Sequence, residues 1–277
     1  MDQIILWLKY FFLGIVQGAT EPIPVSSSGH LIIAQRLMGL KQNGLSFEIL
    51  TNTASLIAIV FIFREDIMKL ITGGWGYLTT RKPEYRADKP EYRADFMFCL
   101  YIVIGTIPAA VAAVLFKDQI ESIFSSVYTV AVALLITGVA LWLIRNLRGR
   151  KQDGDLKTKD AVLVGLAQAV ALIPGISRSG ATVISSIAVG MKQETALKFS
   201  FMLYIPISIG GLIMGASDIA HDPNRSQLAI PYLIAFITTL VVTYFSMRWF
   251  MGIMARGNLK YFSYYCFAAG TLLLIFL

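Results

Sequence analysis

GIVQGATEPIPVSSSG, residues 14–29, and GLAQAVALIPGISRSG, residues 165–180, decide how this chain is read. Laid together without a gap, they pair Gly14 with Gly165, Gln17 with Gln168 and Ser26 with Ser177. Ser28 then meets Ser179 and Gly29 meets Gly180, while Pro24 and Pro174 fall one position apart. Such self-similarity marks an internal repeat. Each copy carries a polar, Pro/Gly-containing stretch between apolar pieces: EPIPVSSSGH at 21–30 and PGISRSGAT at 174–182. The flanking pieces, 4–19, 31–38, 161–173 and 183–190, fall short of the roughly 20 residues that a bilayer crossing needs. Irregular polar backbone at membrane depth is tolerated only where protein or a wet cavity surrounds it. Each copy therefore reads as a re-entrant helix hairpin that goes in and returns on the same side.

The rest of the chain fits a membrane setting. Its 277 residues are 56% hydrophobic and only 15% charged, with mean hydropathy +0.66. Soluble domains are nearer a quarter charged. Six apolar segments are long enough to cross: 47–63, 96–116, 123–144, 199–216, 228–247 and 260–277. The expected fold is an all-α polytopic membrane protein. It has six transmembrane helices plus two re-entrant hairpins in an inverted-topology repeat. The chain is one membrane domain over 1–277, with repeat one at about 1–145 and repeat two at about 155–277. Three crossings per half, an odd number, invert the second half, and sites in such architectures lie where the repeats meet.

Charge sets the expected orientation. Basic residues crowd the connections 64–95, 145–159 and 248–260, and are few in 117–122 and 217–227. The positive-inside rule puts the basic connections in the cytoplasm and both termini outside. The first hairpin then enters from outside and the second from the cytoplasm. Arg36 and Lys41 run against the rule. The net charge of +7 is explained by orientation, with no basic stripe on a soluble domain to suggest nucleic acid. Cys99 and Cys266 sit in apolar segments and form neither a disulfide framework nor a zinc spacing. The opening residues lack a basic n-region and a cleavage site, so they read as mature sequence. KPEYRAD, repeated in tandem over 82–95, reads as a solvated, charged loop, as does the connection holding His221.

Two constellations carry chemistry. In the first, Gln17 and Glu21 stand four apart on one helix face and offer oxygens to a hard divalent cation. The prolines then break the helix. Ser26, Ser27 and Ser28 start another, where free N–H groups favour an anion. His30 lies one turn further, placed to move a proton. In the second, Ser177, Ser179 and Thr182 supply hydroxyls and Arg178 a planar cationic fork, beside Gly175 and Gly180. Together these describe a phosphate cradle. Ionisable groups at membrane depth are costly and mark functional sites. Glu48 and Asn52, four apart at the start of a crossing, either join the site or pack helices. The residues alone leave an intramembrane phosphatase or an anion transporter.

EPIPVSSSGH and PGISRSGAT resemble the two signature motifs of the bacterial undecaprenyl-diphosphate phosphatase family, also called the bacitracin resistance family. Motif order, spacing and total length fit as well, so the resemblance covers essentially the whole chain. It implies an inner-membrane enzyme that hydrolyses undecaprenyl diphosphate to undecaprenyl phosphate and inorganic phosphate, recycling the carrier of wall polymers. Bacitracin acts on that substrate by sequestering it. The resemblance also implies a divalent cation, Mg2+ or Ca2+, and a site open to the outer face. Glu21 matches the family's acidic residue, Ser27 a nucleophile or phosphate ligand, and His30 a catalytic histidine serving Ser27 or a water. Ser177, Arg178 and Thr182 match phosphate-binding positions, with Ser26 and Ser179 beside them. Position 17 is commonly Glu in the family; Gln17 keeps a carbonyl oxygen for the metal but removes one charge. The reading admits a homo-oligomer, and its alternative is an inverted-repeat transporter or flippase for a phosphorylated lipid.

Overall fold

Proline and serine decide where the first helix stops and the second begins. The apolar N-terminal stretch forms α1 (Asp2–Thr20), which ends just before Pro22. Pro22 and Pro24 lack the N–H that would continue the ladder, and α2 (Ser27–Leu37) starts after a turn capped by Ser26. The remaining helices of the computed structural model are α3 (Gly44–Ile62), α4 (Arg64–Thr79), α5 (Pro90–Leu115), α6 (Val127–Ile144), α7 (Thr158–Val170), α8 (Arg178–Ala188), α9 (Gln193–Ala220), α10 (Arg225–Ala255) and α11 (Lys260–Phe276). A 3-10 turn, Asp153–Asp155, precedes α7. The structure describes residues 2–40, 44–79, 90–116, 127–173, 175–220 and 225–276. Among these there is no strand, only an isolated bridge between Lys151 and Met191. Lys41, Pro174, His221, the first KPEYRAD copy and the connection 117–122 lie outside the described residues.

Among the described residues, five helices are long and apolar enough to cross a membrane, or six if α3 and α4, bent by 70°, form one broken span. With 17 residues, α11 is at the lower limit of a crossing. Large apolar side chains lie exposed along the helices, such as Leu8 and Phe12 on α1, Val103 and Ile107 on α5, and Leu233 and Ile237 on α10. Apolar surface on this scale is stable against lipid, not water. The chain is an all-helical membrane protein.

Helix pairs build the interior. α1 lies along α10, and its repeat partner α7 lies along α5. α6 pairs with α11 and α3 with α9 at the centre. Glycine makes the hairpin contacts close enough. A Cβ at Gly14 would stand 2.7 Å from the Ala235 carbonyl oxygen, and one at Gly18 would stand 2.7 Å from that of Thr239. Gly165, the partner of Gly14, packs directly on the backbone of Gly105. Small residues at such crossings let backbones meet, and hydroxyls then bond across. Ser246 donates to the Gly18 carbonyl at 2.6 Å and Thr239 to that of Gly14 at 3.2 Å.

One expectation is corrected. The connection 64–95 is not all loop, and the stretch 82–95 is not wholly solvated: 64–79 forms α4, 90–95 begins α5, and the two helices pack together. Gly73 lets Asp95 approach closely, Gly76 receives the Tyr92 ring, and Tyr77 stacks on Phe96 at 4.9 Å. The second KPEYRAD copy therefore starts a helix, and its Tyr92 and Asp95 are packing residues. Charge dominates its composition, and the glycine spacing 73–76 that receives it lies in another helix.

Candidate active site

The turn after α1 holds the first half of the site. Glu21 stays in the last helical turn, its N–H donating to the Gln17 carbonyl at 2.9 Å. The Gln17 side-chain amide, almost wholly buried, donates to Glu21 Oε2 at 2.9 Å. Ser27 donates to the same oxygen. Gln17 Oε1 is buried without a partner. Ser26 accepts from the Gly29 N–H at 3.3 Å and so caps α2. Among described non-glycine residues it alone has positive φ, 68°. Backbone held there costs about 1–3 kcal/mol and persists where surrounding structure enforces it, often at functional sites.

The second half is built in the same way with opposite charge. Ser177 caps α8 by accepting from the Gly180 N–H at 3.0 Å. Its own backbone is extended, φ −67°, because the left-handed turn falls two residues earlier at Gly175, φ 93°. Arg178 opens α8, and its Nε is buried without a partner. Its guanidinium stands 5.9 Å from the Tyr204 ring centroid, a cation–π distance. Tyr204 in turn donates to Asn52 Oδ1 at 2.6 Å.

The two turns touch. Ser179 Oγ lies 3.2 Å from the carbonyl oxygens of both Glu21 and Ile23, and 3.2 Å from Ser177 Oγ. A cleft of about 210 Å³ lies between them. Gln17, Glu21, Ser26, Ser27 and Ser28 line one wall, Ser177, Arg178 and Ser179 another, and Glu48 and Asn52 of α3 a third. Glu48 interacts electrostatically with Glu21 and Arg178. Among the described residues no ion pair joins Glu21 to Arg178. The two charges are thus held in one cleft without neutralising each other by contact.

Two predicted site residues sit elsewhere. His30 is absent from the cleft walls. Its Nδ1 lies 2.7 Å from the Ser26 carbonyl oxygen and its Nε2 lies 2.5 Å from the Tyr265 hydroxyl, with the two rings stacked at 5.7 Å. Ser27 bonds to Glu21, so the carboxylate is the base nearest the hydroxyl. Thr182 donates to the carbonyls of Arg178 and Ser179 from one turn behind the cleft. Tyr204 and Tyr265 escaped sequence reasoning, since both lie in apolar helices far along the chain from their partners.

The donor set suits a hard cation. Glu21, Glu48, the Asn52 amide and the unpartnered Gln17 Oε1 bring oxygen donors to one cleft. Among the described residues no group of three or more His, Cys, Asp and Glu side chains could hold a metal. Any ion here would keep water or substrate oxygens in its shell, as Mg2+ usually does.

Fold and cleft together define a class: a helical membrane protein that offers a carboxylate and a serine on one side, and an arginine with hydroxyls on the other, to an anionic head group. A family model described as Bacitracin resistance protein BacA matches residues 10–272, and the chain belongs to that family. It is 57% identical over 277 residues to Undecaprenyl-diphosphatase 1 of Bacillus cereus, covering 100% of both chains. Undecaprenyl-diphosphatase 1 of Bacillus licheniformis is 54% identical over the same full lengths. The Undecaprenyl-diphosphatase of Oceanobacillus iheyensis is 55% identical over 272 residues, 98% of this chain and 96% of that one.

Proposed function

We infer that this protein hydrolyses undecaprenyl diphosphate to undecaprenyl phosphate and inorganic phosphate, recycling a wall-polymer carrier and conferring bacitracin resistance. The observation that carries this reading is the joint cleft, in which Glu21 and Ser27 face the same space as Ser177, Arg178 and Ser179. Its full-length relatives bear the matching activity in their names.

The chemistry follows from the residues. Arg178, the serine hydroxyls and the N-termini of α2 and α8 hold the diphosphate oxygens and stabilise charge in the transition state. The terminal phosphorus is attacked in line, either by Ser27 Oγ or by a water that Ser27 and Glu21 orient. The phosphoanhydride P–O bond breaks, and undecaprenyl phosphate leaves with the electron pair. Glu21 takes the nucleophile's proton through the bond already in place. Direct attack by water gives inorganic phosphate; a phosphoserine would need a second hydrolysis. His30 orients the turn through the Ser26 carbonyl and is itself held by a hydrogen bond to the Tyr265 hydroxyl. A divalent cation, Mg2+ or Ca2+, held by Glu21, Glu48 and Gln17 Oε1, would neutralise phosphate charge.

The topology we propose is six crossings and two re-entrant hairpins in an inverted repeat. α2 and α8 have 11 residues each, about 16 Å at 1.5 Å per residue and roughly half the hydrocarbon thickness. α2 returns to the level of Lys9, whose ammonium donates to the Met38 carbonyl at 2.7 Å. α8 returns to its own base, where the Arg150 and Lys151 N–H groups donate to the Gly190 carbonyl at 2.9 Å. α3, 19 residues long, follows the first hairpin and leads into α4. Lys198 holds Asp66 and Asp153 at 2.8 and 2.9 Å beside the second. The basic connections support a cytoplasmic second base and a cleft open to the outer face of the bacterial inner membrane.

Purified protein in detergent should release phosphate from farnesyl diphosphate when Mg2+ or Ca2+ is supplied. No release with either ion would return the anion-transport reading.

A further inference from the structure

Arg178 and Ser179, which line the cleft, also line a second cavity of about 10 Å³, together with Gln168, Thr182, Ser200 and Tyr204. Gln168 is fully buried, and both polar atoms of its side chain lack partners. Arg178, whose Nε is also buried and unpartnered, lines the same cavity. Orphaned polar atoms of this kind are rare in native structures, and each calls for a partner. A cavity near this size holds one water when two to four polar groups converge on it.

We propose that Gln168 is a positioning residue for Arg178, coupled to it through one water buried in this cavity. The water accepts from Arg178 Nε–H and donates to Gln168 Oε1. Its second proton goes to the oxygen of Ser200 or Thr182. Both hydroxyls already give their own protons to helix carbonyls, which leaves their lone pairs free to accept. The repeat supports this assignment independently. Gln168 matches Gln17 in the gapless pairing of the two halves. Gln17 uses its amide N–H to hold the carboxylate of Glu21 at 2.9 Å. A glutamine side chain both donates and accepts. The same residue can therefore anchor an anion in one hairpin and a cation in the other. Fixing Nε fixes the plane of the guanidinium, whose fork then meets the phosphate oxygens in one orientation.

This inference rests on the phosphatase reading. Two measurements keep the two apart. The first is kinetic. Gln168→Met keeps the volume and removes both polar atoms. In protein of wild-type melting behaviour it should raise KM for farnesyl diphosphate and Ki for inorganic phosphate together, each roughly tenfold, with a smaller change in kcat. Wild-type KM and Ki in that variant would overturn the proposal. The second needs neither activity nor a folded variant. A water-resolving structure of the wild-type protein should show one ordered water within hydrogen-bond reach of both Arg178 Nε and Gln168 Oε1. A dry cavity, or Gln168 bonded away from Arg178, would overturn it. Failure of the wild-type protein to release phosphate would overturn the phosphatase reading and leave the second measurement to judge this one.

Discussion

The two hairpins share a plan and differ in sign. Each runs from a helix with a buried glutamine through a broken turn to a serine-capped helix of 11 residues. Each docks through a glycine on a helix of the other half. The first puts a carboxylate in the turn, and the second puts a guanidinium on the opening residue of its helix. Two hairpins of matching sequence thus bring opposite charges to one cleft. A single hairpin would have to bury both signs within a few residues, where they would pair with each other and not with a substrate.

Breaking the comparison at its charged ends should have the largest effect. Arg178→Ala should lower kcat/KM for farnesyl diphosphate by roughly a hundred- to a thousand-fold, the scale for losing one transition-state donor. Phosphate release and a thermal melt on the same preparation would separate this from unfolding. The docking glycines come next. Gly165→Leu should cost about 1–3 kcal/mol by overpacking, read as a lower melting temperature. Gly252→Ala should change little, since its Cβ would meet nothing within 4 Å. Tyr265→Phe should lower turnover by roughly three- to tenfold, because it leaves one nitrogen of His30 without its partner. Full activity in a melt-competent Tyr265→Phe protein would remove Tyr265 from the account.

The smallest effect sharpens the comparison most finely. Ser26 and Ser177 are matching caps on different backbones. Glycine at 26 removes a strained side chain and loses only a few tenths of a kcal/mol of capping. Ser26→Gly should therefore raise the melting temperature slightly. Ser177→Gly, at ordinary φ, relieves no strain and should lower it. Equal signs in the two melts would contradict the strain reading.

Much of this was legible in the sequence, for physical reasons. The repeat was visible because glycine, glutamine and serine recur where close approach and capping need them. The breaks showed because proline has no donor. Partners across the fold were not legible. Nothing in SYYCF, 263–267, announces that Tyr265 meets His30. The resemblance set Ser27 apart from Ser26, but the physical ground lies in the backbone, which makes Ser26 a cap and aims Ser27 at Glu21. The segment 64–79 read as part of a loop because it leads into the charged tandem at 82–95, and nothing in Gly73 and Gly76 announces the α5 face that they receive.

The central claim is that Glu21 and Arg178, from opposite halves, act on one bound head group. A double-mutant cycle of Glu21→Gln and Arg178→Ala tests it most directly, in single-turnover hydrolysis of labelled farnesyl diphosphate with enzyme in excess. Groups that act as a unit lose their effects together. The account predicts a double variant within about threefold of the slower single variant. Losses that multiply would mean that the two residues act independently, and would contradict it.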